Sequence, residues 1–160
     1  MKLKSLLGGL MIAMALAGCI PQPPPQSVQE DWKQEALDEV NSVRANAGLA
    51  PVTLCESLNV AADAHALDQA MHRRMSHVGS DGADFVKRDE RAGYRDWTLL
   101  GENVAAGQDS VADVMSAWRN SPGHLANIVK PGFTHMGLGS AVDGGSVRYW
   151  SQEFGASGTC

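Results

Sequence analysis

The chain has 160 residues and a formal net charge of −5, from 13 basic and 18 acidic residues. Without Lys2 and Lys4, which fall in a predicted leader, 11 basic residues remain against the 18 acidic ones, and the charge is −7. This acidic balance argues against nucleic acid as a partner and against an electrostatic grip on anionic lipid. The length after the leader suits one domain with its own core.

The first 19 residues, MKLKSLLGGLMIAMALAGC, have the pattern of a secretory signal. Two lysines precede an apolar stretch over residues 6–16, which is too short for a dependable membrane span. Its end, Leu-Ala-Gly-Cys at residues 16–19, resembles the lipobox of bacterial lipoproteins. That resemblance implies a signal peptide over residues 1–18 and acyl chains such as palmitate on Cys19, which anchor a chain stably. The alternative is an ordinary signal peptide with a chance cysteine.

A proline-rich stretch, IPQPPPQS, follows at residues 20–27, and four of its eight residues are proline. This composition is typical of an extended spacer. At about 3.1 Å per residue it would hold a domain roughly 25 Å from the lipid. We therefore predict a lipidated tether over residues 19–30 and a folded domain over residues 31–160.

Two further cysteines, Cys55 and Cys160, form an even pair in an oxidising compartment, which favours a disulfide. The bridge would close nearly the whole domain and stabilise it by about 4–5 kcal/mol in the chain-entropy model. The alternative is two free thiols, with Cys160 on a frayed terminus.

Apolar spacing predicts two long helices in the first half of the domain. The first begins at Asp31, which can cap it, and ends before Gly48. The second covers about Ser57–Met75. Its predicted core stripe consists of Val60, Ala64, Leu67 and Met71. A neighbouring stripe carries Leu58, Ala61, His65, Asp68 and His72.

The second half predicts shorter elements. A polar, glycine-broken segment contains one short helix near residues 85–92, and the run LLGENVAAG at 99–107 predicts a short strand. Ser110 opens a helix that ends before Pro122, and HLANIVKPGF predicts a helical turn and a loop. HMGLGSAV and SVRYWSQEF flank an Asp-Gly-Gly turn and predict a hairpin. This order predicts an α+β sandwich with a small, mostly antiparallel sheet.

Four motifs, AADAHALD, GENVAAG, SAWRNSPGHLANIV and YWSQEFG, resemble in their order the bacterial branch of the CAP superfamily. This is the group of cysteine-rich secretory proteins, antigen 5 and pathogenesis-related 1, also called the SCP domain. EVNSVRANAGLAPV and PGFTHMGLGSAV resemble the family's opening and its late strand. The resemblance covers residues 31–155 and implies an α-β-α sandwich with a central cleft.

The resemblance implies that His65, Glu102 and His124 line this cleft. Ser121 stands where animal and plant members have a second glutamate, so the set is a triad. Two imidazoles and a carboxylate suit one divalent cation such as zinc, with an open position. They equally suit a hydrogen-bonded cluster without metal. His77 resembles a recurrent histidine of the cleft rim, and its alternative is a loop residue that closes backbone hydrogen bonds.

Other polar residues are assigned more simply. Gln152 is a further candidate for the cleft, and Asn103 is predicted to satisfy turn amides. His72 and His135 have no motif support and are predicted to be exposed. A buried carboxylate such as Glu102 costs several kcal/mol unless a partner compensates it, so the sequence also predicts a partner for it.

The resemblance implies a cell-envelope module, anchored outside the cytoplasm through Cys19, that binds a small or lipidic ligand or a cell-wall component. Ile20 after the lipidated cysteine favours the outer membrane in a Gram-negative cell. Two alternatives stay open: a peptidase-like, metal-dependent hydrolase whose histidine and carboxylate activate water, and a structural module without ligand chemistry. The absence of an HExxH pair and of an obvious nucleophile favours binding. The sequence makes no prediction of oligomeric state.

Overall fold

A computed structural model describes residues 28–160, with side-chain environments from Trp32 onward. The predicted signal peptide, the lipidation of Cys19 and residues 20–27 of the tether lie outside this range. The first helix already begins at Val28, so Asp31 lies within the helix instead of capping it. None of the helices in residues 28–160 combines the length and the apolar character that a membrane crossing needs.

The described chain forms five helices and one four-stranded sheet. The elements are α1 (Val28–Asn46), β1 (Thr53–Leu54), α2 (Glu56–His72), α3 (Phe85–Arg91), β2 (Leu99–Ala106), α4 (Val111–Arg119), α5 (Pro122–Ile128), β3 (His135–Val142) and β4 (Arg148–Ala156). The strand order is β1-β3-β4-β2, with β4 antiparallel to both neighbours and β1 parallel to β3. The predicted α+β sandwich with a mostly antiparallel sheet is confirmed. A two-residue strand such as β1 has no periodicity to detect.

The apolar core fills the space between one face of the sheet and α1, α4 and α5. It joins Val40, Trp118 and Ile128 of the three helices to Leu138 and Phe154 of the strands. Each of these five side chains is essentially inaccessible to solvent. This layer supports β2 and β4, which carry the acidic residues of the candidate site on their other face.

The other face of the sheet lies directly against α2, because two glycines of β3 leave no side chain between the backbones. A Cβ on Gly137 would lie 2.2 Å from the backbone of Leu58, and one on Gly139 would lie 2.1 Å from the backbone of Ala62. Only glycine permits so close an approach of helix to strand. The contact therefore fixes the height of α2, and of His65 on it, above the sheet.

The predicted core stripe of α2 is wrong. The residues of that stripe, Val60, Ala64, Leu67 and Met71, are all exposed, and Met71 is 71% exposed. The buried face instead carries Leu58, four alanines and several polar residues, with His65 among them. Because the helix backbone at Leu58 and Ala62 lies directly on the two glycines, the predicted stripe faces the opposite side of the helix. The helix also ends at His72, earlier than predicted, because Arg73 adopts a left-handed conformation with φ 49°.

We expect Gly139→Ala to lower the free energy of unfolding by about 3 kcal/mol, because the new methyl group meets helix backbone that cannot rotate away. Urea denaturation measures the loss. Gly144→Ala is the matched control in the hairpin turn, where the nearest atom to the new Cβ is Nη2 at the end of the exposed Arg73 side chain, at 3.4 Å. Equal losses in the two variants would contradict the close packing of α2 on β3.

The outer strand of the sheet, β2, has its open edge covered. The carbonyl oxygens of Glu102 and Val104 face away from β4 in this antiparallel register. Asn127 of α5 donates to the first at 2.9 Å, and the Trp118 indole of α4 donates to the second at 3.4 Å. Side chains from the helical layer thus satisfy backbone groups of the edge strand.

The structure contains the predicted disulfide between Cys55 and Cys160, whose Cα atoms are 5.1 Å apart. Cys55 is the residue immediately before α2, so the bridge ties the chain end to the start of that helix. His135, predicted to be exposed, is instead partly buried beside it, with Nδ1 2.9 Å from the hydroxyl of Tyr94. Its place as the first residue of β3 explains the difference.

Candidate functional site

Two carboxylates lie side by side on the face of the sheet that α2 covers. Glu102 of β2 is paired in register with Glu153 of β4, and both are buried. Residues paired across antiparallel strands present their side chains on the same face, only a few ångströms apart. Ser151 donates a hydrogen bond to Glu153 Oε1 at 2.9 Å. Without a cation nearby, two adjacent buried acids cannot both ionise.

Arg88 of α3 supplies the compensating charge. Its Nη2 donates to Glu102 Oε2 and lies 3.9 Å from Glu153 Oε1. Its Nη1 donates to the backbone carbonyls of His77 and Ala83, each at 3.0 Å. The side chain is only 10% exposed, so solvent screens the ion pair weakly. The partner that the burial of Glu102 demands is therefore an arginine.

His77 connects the buried Glu102 to solvent. Its Nδ1 donates to Glu102 Oε1 at 2.7 Å, while 59% of the side chain is exposed. This hydrogen bond is the main reason why the pKa of His77 is raised. The alternative assigned His77 only to hydrogen bonds with backbone groups. In the structure its ring instead bonds to the side-chain carboxylate of Glu102.

His65 approaches the same carboxylate from α2. Its Nε2 lies 2.8 Å from the Ser76 carbonyl, to which it donates, and 3.6 Å from Glu102 Oε2. Burial, reinforced by the charge of Arg88, lowers the pKa of His65. At neutral pH the ring is therefore uncharged, and its contact with Glu102 is not an ion pair.

A third acid, Asp89, lies beside Arg88 in the chain and is fully buried. Within residues 28–160, neither of its carboxylate oxygens has a hydrogen-bond partner. Burial raises the pKa of Asp89 to about 8, and the charge of Glu102 adds to this effect. Burial and the same charge raise the pKa of Glu153 well above its ordinary value. Both acids therefore favour the protonated form, and Glu102 is the member that pairs with Arg88.

His124, the third member of the predicted triad, is placed differently. It belongs to α5, on the opposite layer, and its backbone carbonyl accepts from Asn103 Nδ2 at 3.2 Å. In the described part of the chain its ring makes no hydrogen bond to Glu102 or His65. Burial and the positive charge of His77 lower the pKa of His124. His124 is thus a neighbour of His77, and His77 occupies the place beside Glu102.

Gln152 and Ser121 do not face Glu102. Gln152 is fully buried on the other face of the sheet, where its Oε1 accepts from Asn103 Nδ2 at 3.0 Å. Asn127 donates to Asn103 Oδ1 at 2.9 Å, so these amides fix α5 on β2. Ser121 precedes α5 without a side-chain cap, and no hydrogen bond joins it to His124 over the described range. Strand alternation explains why Gln152 points away from its neighbour Glu153.

Within residues 28–160, His65, Glu102 and His124 do not bring three donor atoms within 4.8 Å of one another. Nε2 of His65 donates to the Ser76 carbonyl, and Arg88 and His77 each donate to one oxygen of Glu102. Residues 28–160 contain one group of three histidine, cysteine or acidic side chains with all donor atoms within 4.8 Å, and it is a different set: Cys55, His135 and Cys160. The expectation of zinc at the predicted triad therefore has no support in the donor geometry.

Comparison with known proteins gives one family. The model described as "CAP: Cysteine-rich secretory protein family" matches residues 37–154. The chain is 33% identical over 132 residues to the uncharacterized protein YkwD of Bacillus subtilis, covering 81% of this chain and 49% of YkwD. It is 28% identical over 129 residues to the uncharacterized membrane protein YlbC of the same species, covering 81% and 36%. The chain thus spans about half of these curated relatives, or less.

Solved structures agree in fold. An outer surface protein from Borrelia burgdorferi superposes with a TM-score of 0.72 at 20% identity, covering 82% of this chain and 96% of that one. An extracellular protein containing an SCP domain from Bacillus anthracis gives a TM-score of 0.68 at 24% identity, covering 84% and 45%. At such identities the superpositions speak for the fold alone.

Proposed function

Since this chain belongs to the cysteine-rich secretory protein (CAP) family, we propose that its domain is a binding module of the bacterial cell envelope. Its polar cleft receives a small or lipidic ligand, or a piece of an envelope polymer. The observation that carries the proposal is the path from the buried Glu102 and Arg88 pair to the exposed ring of His77. A preorganised polar group at the surface, fixed from behind by a buried charge, is what a binding site needs.

Two imidazoles of opposite character define the ligand chemistry. The raised pKa of His77 favours the protonated ring. Its Nδ1 donates to Glu102, and its Nε2, which has no hydrogen-bond partner among the described residues, can donate to a ligand. The lowered pKa of His124 favours a neutral ring that can accept a hydrogen bond. Together they suit a ligand group that carries an anionic or carbonyl oxygen beside a hydroxyl.

The proposed location of this chain in the cell envelope is based on the names of two structural relatives. The Borrelia burgdorferi relative is an outer surface protein, and the Bacillus anthracis relative is extracellular. For this chain we propose the same side of the membrane, with Cys19 acylated and residues 20–27 as a spacer. The leader pattern and the lipobox sequence support this anchor.

The geometry gives the hydrolase alternative no support. A general base must reach a water molecule, whereas the Glu102 side chain is 1% exposed and is already bonded to Arg88 and His77. Ser121, the hydroxyl nearest in sequence to His124, has no hydrogen bond to that ring anywhere in the described residues. Binding therefore agrees better with the arrangement than turnover does.

We expect His77→Ala to reduce the occupancy of a co-purified ligand at least about tenfold, because one charge-assisted hydrogen bond contributes about 1.5–3 kcal/mol. Native mass spectrometry of the full chain, extracted from its host's membranes, measures the occupancy. The same spectrum reports the acyl mass on Cys19. His72→Ala is the matched control, since the hydrogen bond and the ion pair of that exposed ring within residues 28–160 both go to Asp68, one turn away on α2.

Two results would contradict the proposed function. One is a wild-type protein that carries no mass beyond its acyl chains. The other is equal ligand occupancy in His77→Ala and His72→Ala. Thermal melting of both variants checks that any loss of ligand does not come from unfolding.

A further inference from the structure

A second cluster of chemically active side chains lies where the chain end meets the starts of α2 and β3. It consists of Cys55, His135 and Cys160, whose donor atoms all lie within 4.8 Å of one another. Two cysteine sulfurs and one imidazole are a ligand set that zinc takes in proteins. The proposed ligand-binding function uses none of these three residues.

We propose that this cluster is a redox-controlled metal site, which binds one zinc-like divalent cation after the disulfide is reduced. The structure has the oxidised form, in which the bond between Cys55 and Cys160 uses both sulfurs. A reduced dithiol protein of the envelope, acting by thiol–disulfide exchange, donates two electrons and two protons to that bond, and its own cysteines become a disulfide. The two cysteines are left as thiols, and metal binding releases their protons to water. A water molecule completes the fourth position.

Cys55 is held in place by the start of α2. It occupies the N-cap position of this helix of 17 residues, and its side chain makes no cap hydrogen bond to the helix. The helix therefore fixes where the sulfur lies and does not use it as a cap.

His135 is oriented in advance by Tyr94. The phenol oxygen lies 2.9 Å from Nδ1 of the imidazole, and the backbone N–H of Gly158 donates to the same oxygen at 3.2 Å. Tyr94 is fully buried and its ring meets His135 edge-on, at an interplanar angle of 89°. A partner on Nδ1 fixes the ring and leaves Nε2 for a metal, as outer-shell partners of zinc-bound histidines commonly do.

Cys160 is the cysteine that solvent can reach and that can move after reduction. It is exposed, whereas Cys55 is buried, so a reductant and a cation both approach from the Cys160 side. The segment before it is held in place by the hydrogen bond from Thr159 N to Arg95 O at 3.0 Å. After reduction a small shift of Cys160 separates the sulfurs enough for two zinc–sulfur bonds of about 2.3 Å.

The test is a cobalt titration of the full chain in its oxidised form and after reduction by a phosphine under anaerobic conditions. We expect the reduced protein to bind one Co²⁺ with sulfur-to-cobalt charge-transfer bands and tetrahedral d–d bands. The oxidised protein should show neither. Competition with zinc then ranks the affinities, and far-ultraviolet circular dichroism follows the fold throughout.

The contribution of His135 is isolated by His135→Asn, which keeps a polar atom near Tyr94 but removes Nε2. We expect its cobalt affinity in the reduced state to fall at least about tenfold. His72→Ala should match the wild type. The proposal is overturned if reduced protein binds no cobalt, if His135→Asn binds as tightly as wild type, or if the reduced chain unfolds and metal does not restore it.

Discussion

Replacing Arg88 with methionine is expected to lower the free energy of unfolding at pH 7 by about 3–5 kcal/mol. The guanidinium is the cation that contacts Glu102 and lies near Glu153, with the fully buried Asp89 beside it. Methionine fills a similar volume but leaves a buried carboxylate without a compensating charge. Urea denaturation at pH 7 measures the loss.

Arg91→Met is the matched control on the same helix. Arg91 pairs with Asp81, but both side chains are more than half exposed, so the loss should stay below about 1 kcal/mol. Lowering the pH should also narrow the gap between Arg88→Met and wild type, because protonated carboxyls no longer need a cation. Similar losses for Arg88→Met and Arg91→Met would show that the buried acids are not held by Arg88.

The second large effect concerns Asp89, and we expect Asp89→Asn to be more stable than wild type at pH 8. The pKa of Asp89 is about 8 in the folded protein and about 3.8 in the unfolded chain. Between these values the unfolded state has lost a proton that the folded state keeps, so stability falls as pH rises. At about 1.4 kcal/mol per pH unit, the full window amounts to on the order of 5 kcal/mol.

The measurement is the free energy of unfolding between pH 4 and pH 9 for wild type, Asp89→Asn and Glu90→Gln. Asparagine removes the titration of Asp89, so the slope of stability against pH should flatten. It should not vanish, because the raised pKa of Glu153 acts in the same direction. Glu90 is the exposed neighbour, and its variant should keep the wild-type slope. If the slope of stability against pH is the same in Asp89→Asn as in wild type, Asp89 is not a buried acid that stays protonated in the folded protein.

The sequence predicted most elements because they carry local signals. Ser110 caps α4 by accepting a hydrogen bond from the Asp113 amide, and an Asp-Gly-Gly turn separates β3 from β4. The buried face of α2 was wrong, because its orientation depends on Gly137 and Gly139, which lie far along the chain. Periodicity assigns the larger apolar side chains to the core. It contains no information on how closely a strand distant in sequence packs against the helix.

The candidate site was predicted only where the family motifs name a residue. Motifs pointed to Glu102 and His65, but Arg88 and Asp89 lie on a seven-residue helix whose charged sequence looks solvated. Glu153 did have a local signal. It lies two residues after Ser151 and four after Tyr149, so strand alternation places these three side chains on one face of the sheet. No local signal reveals that Arg88 pairs with the Glu102 carboxylate.

The side chains that cover the outer edge of β2 affect how two copies of the protein can associate. Strands with unsatisfied outer carbonyls add strands from neighbouring molecules and seed stacked aggregates. Here Asn127 and Trp118 already occupy the carbonyls of Glu102 and Val104. Two neighbouring copies therefore cannot join their sheets through these β2 carbonyls unless both side chains first withdraw.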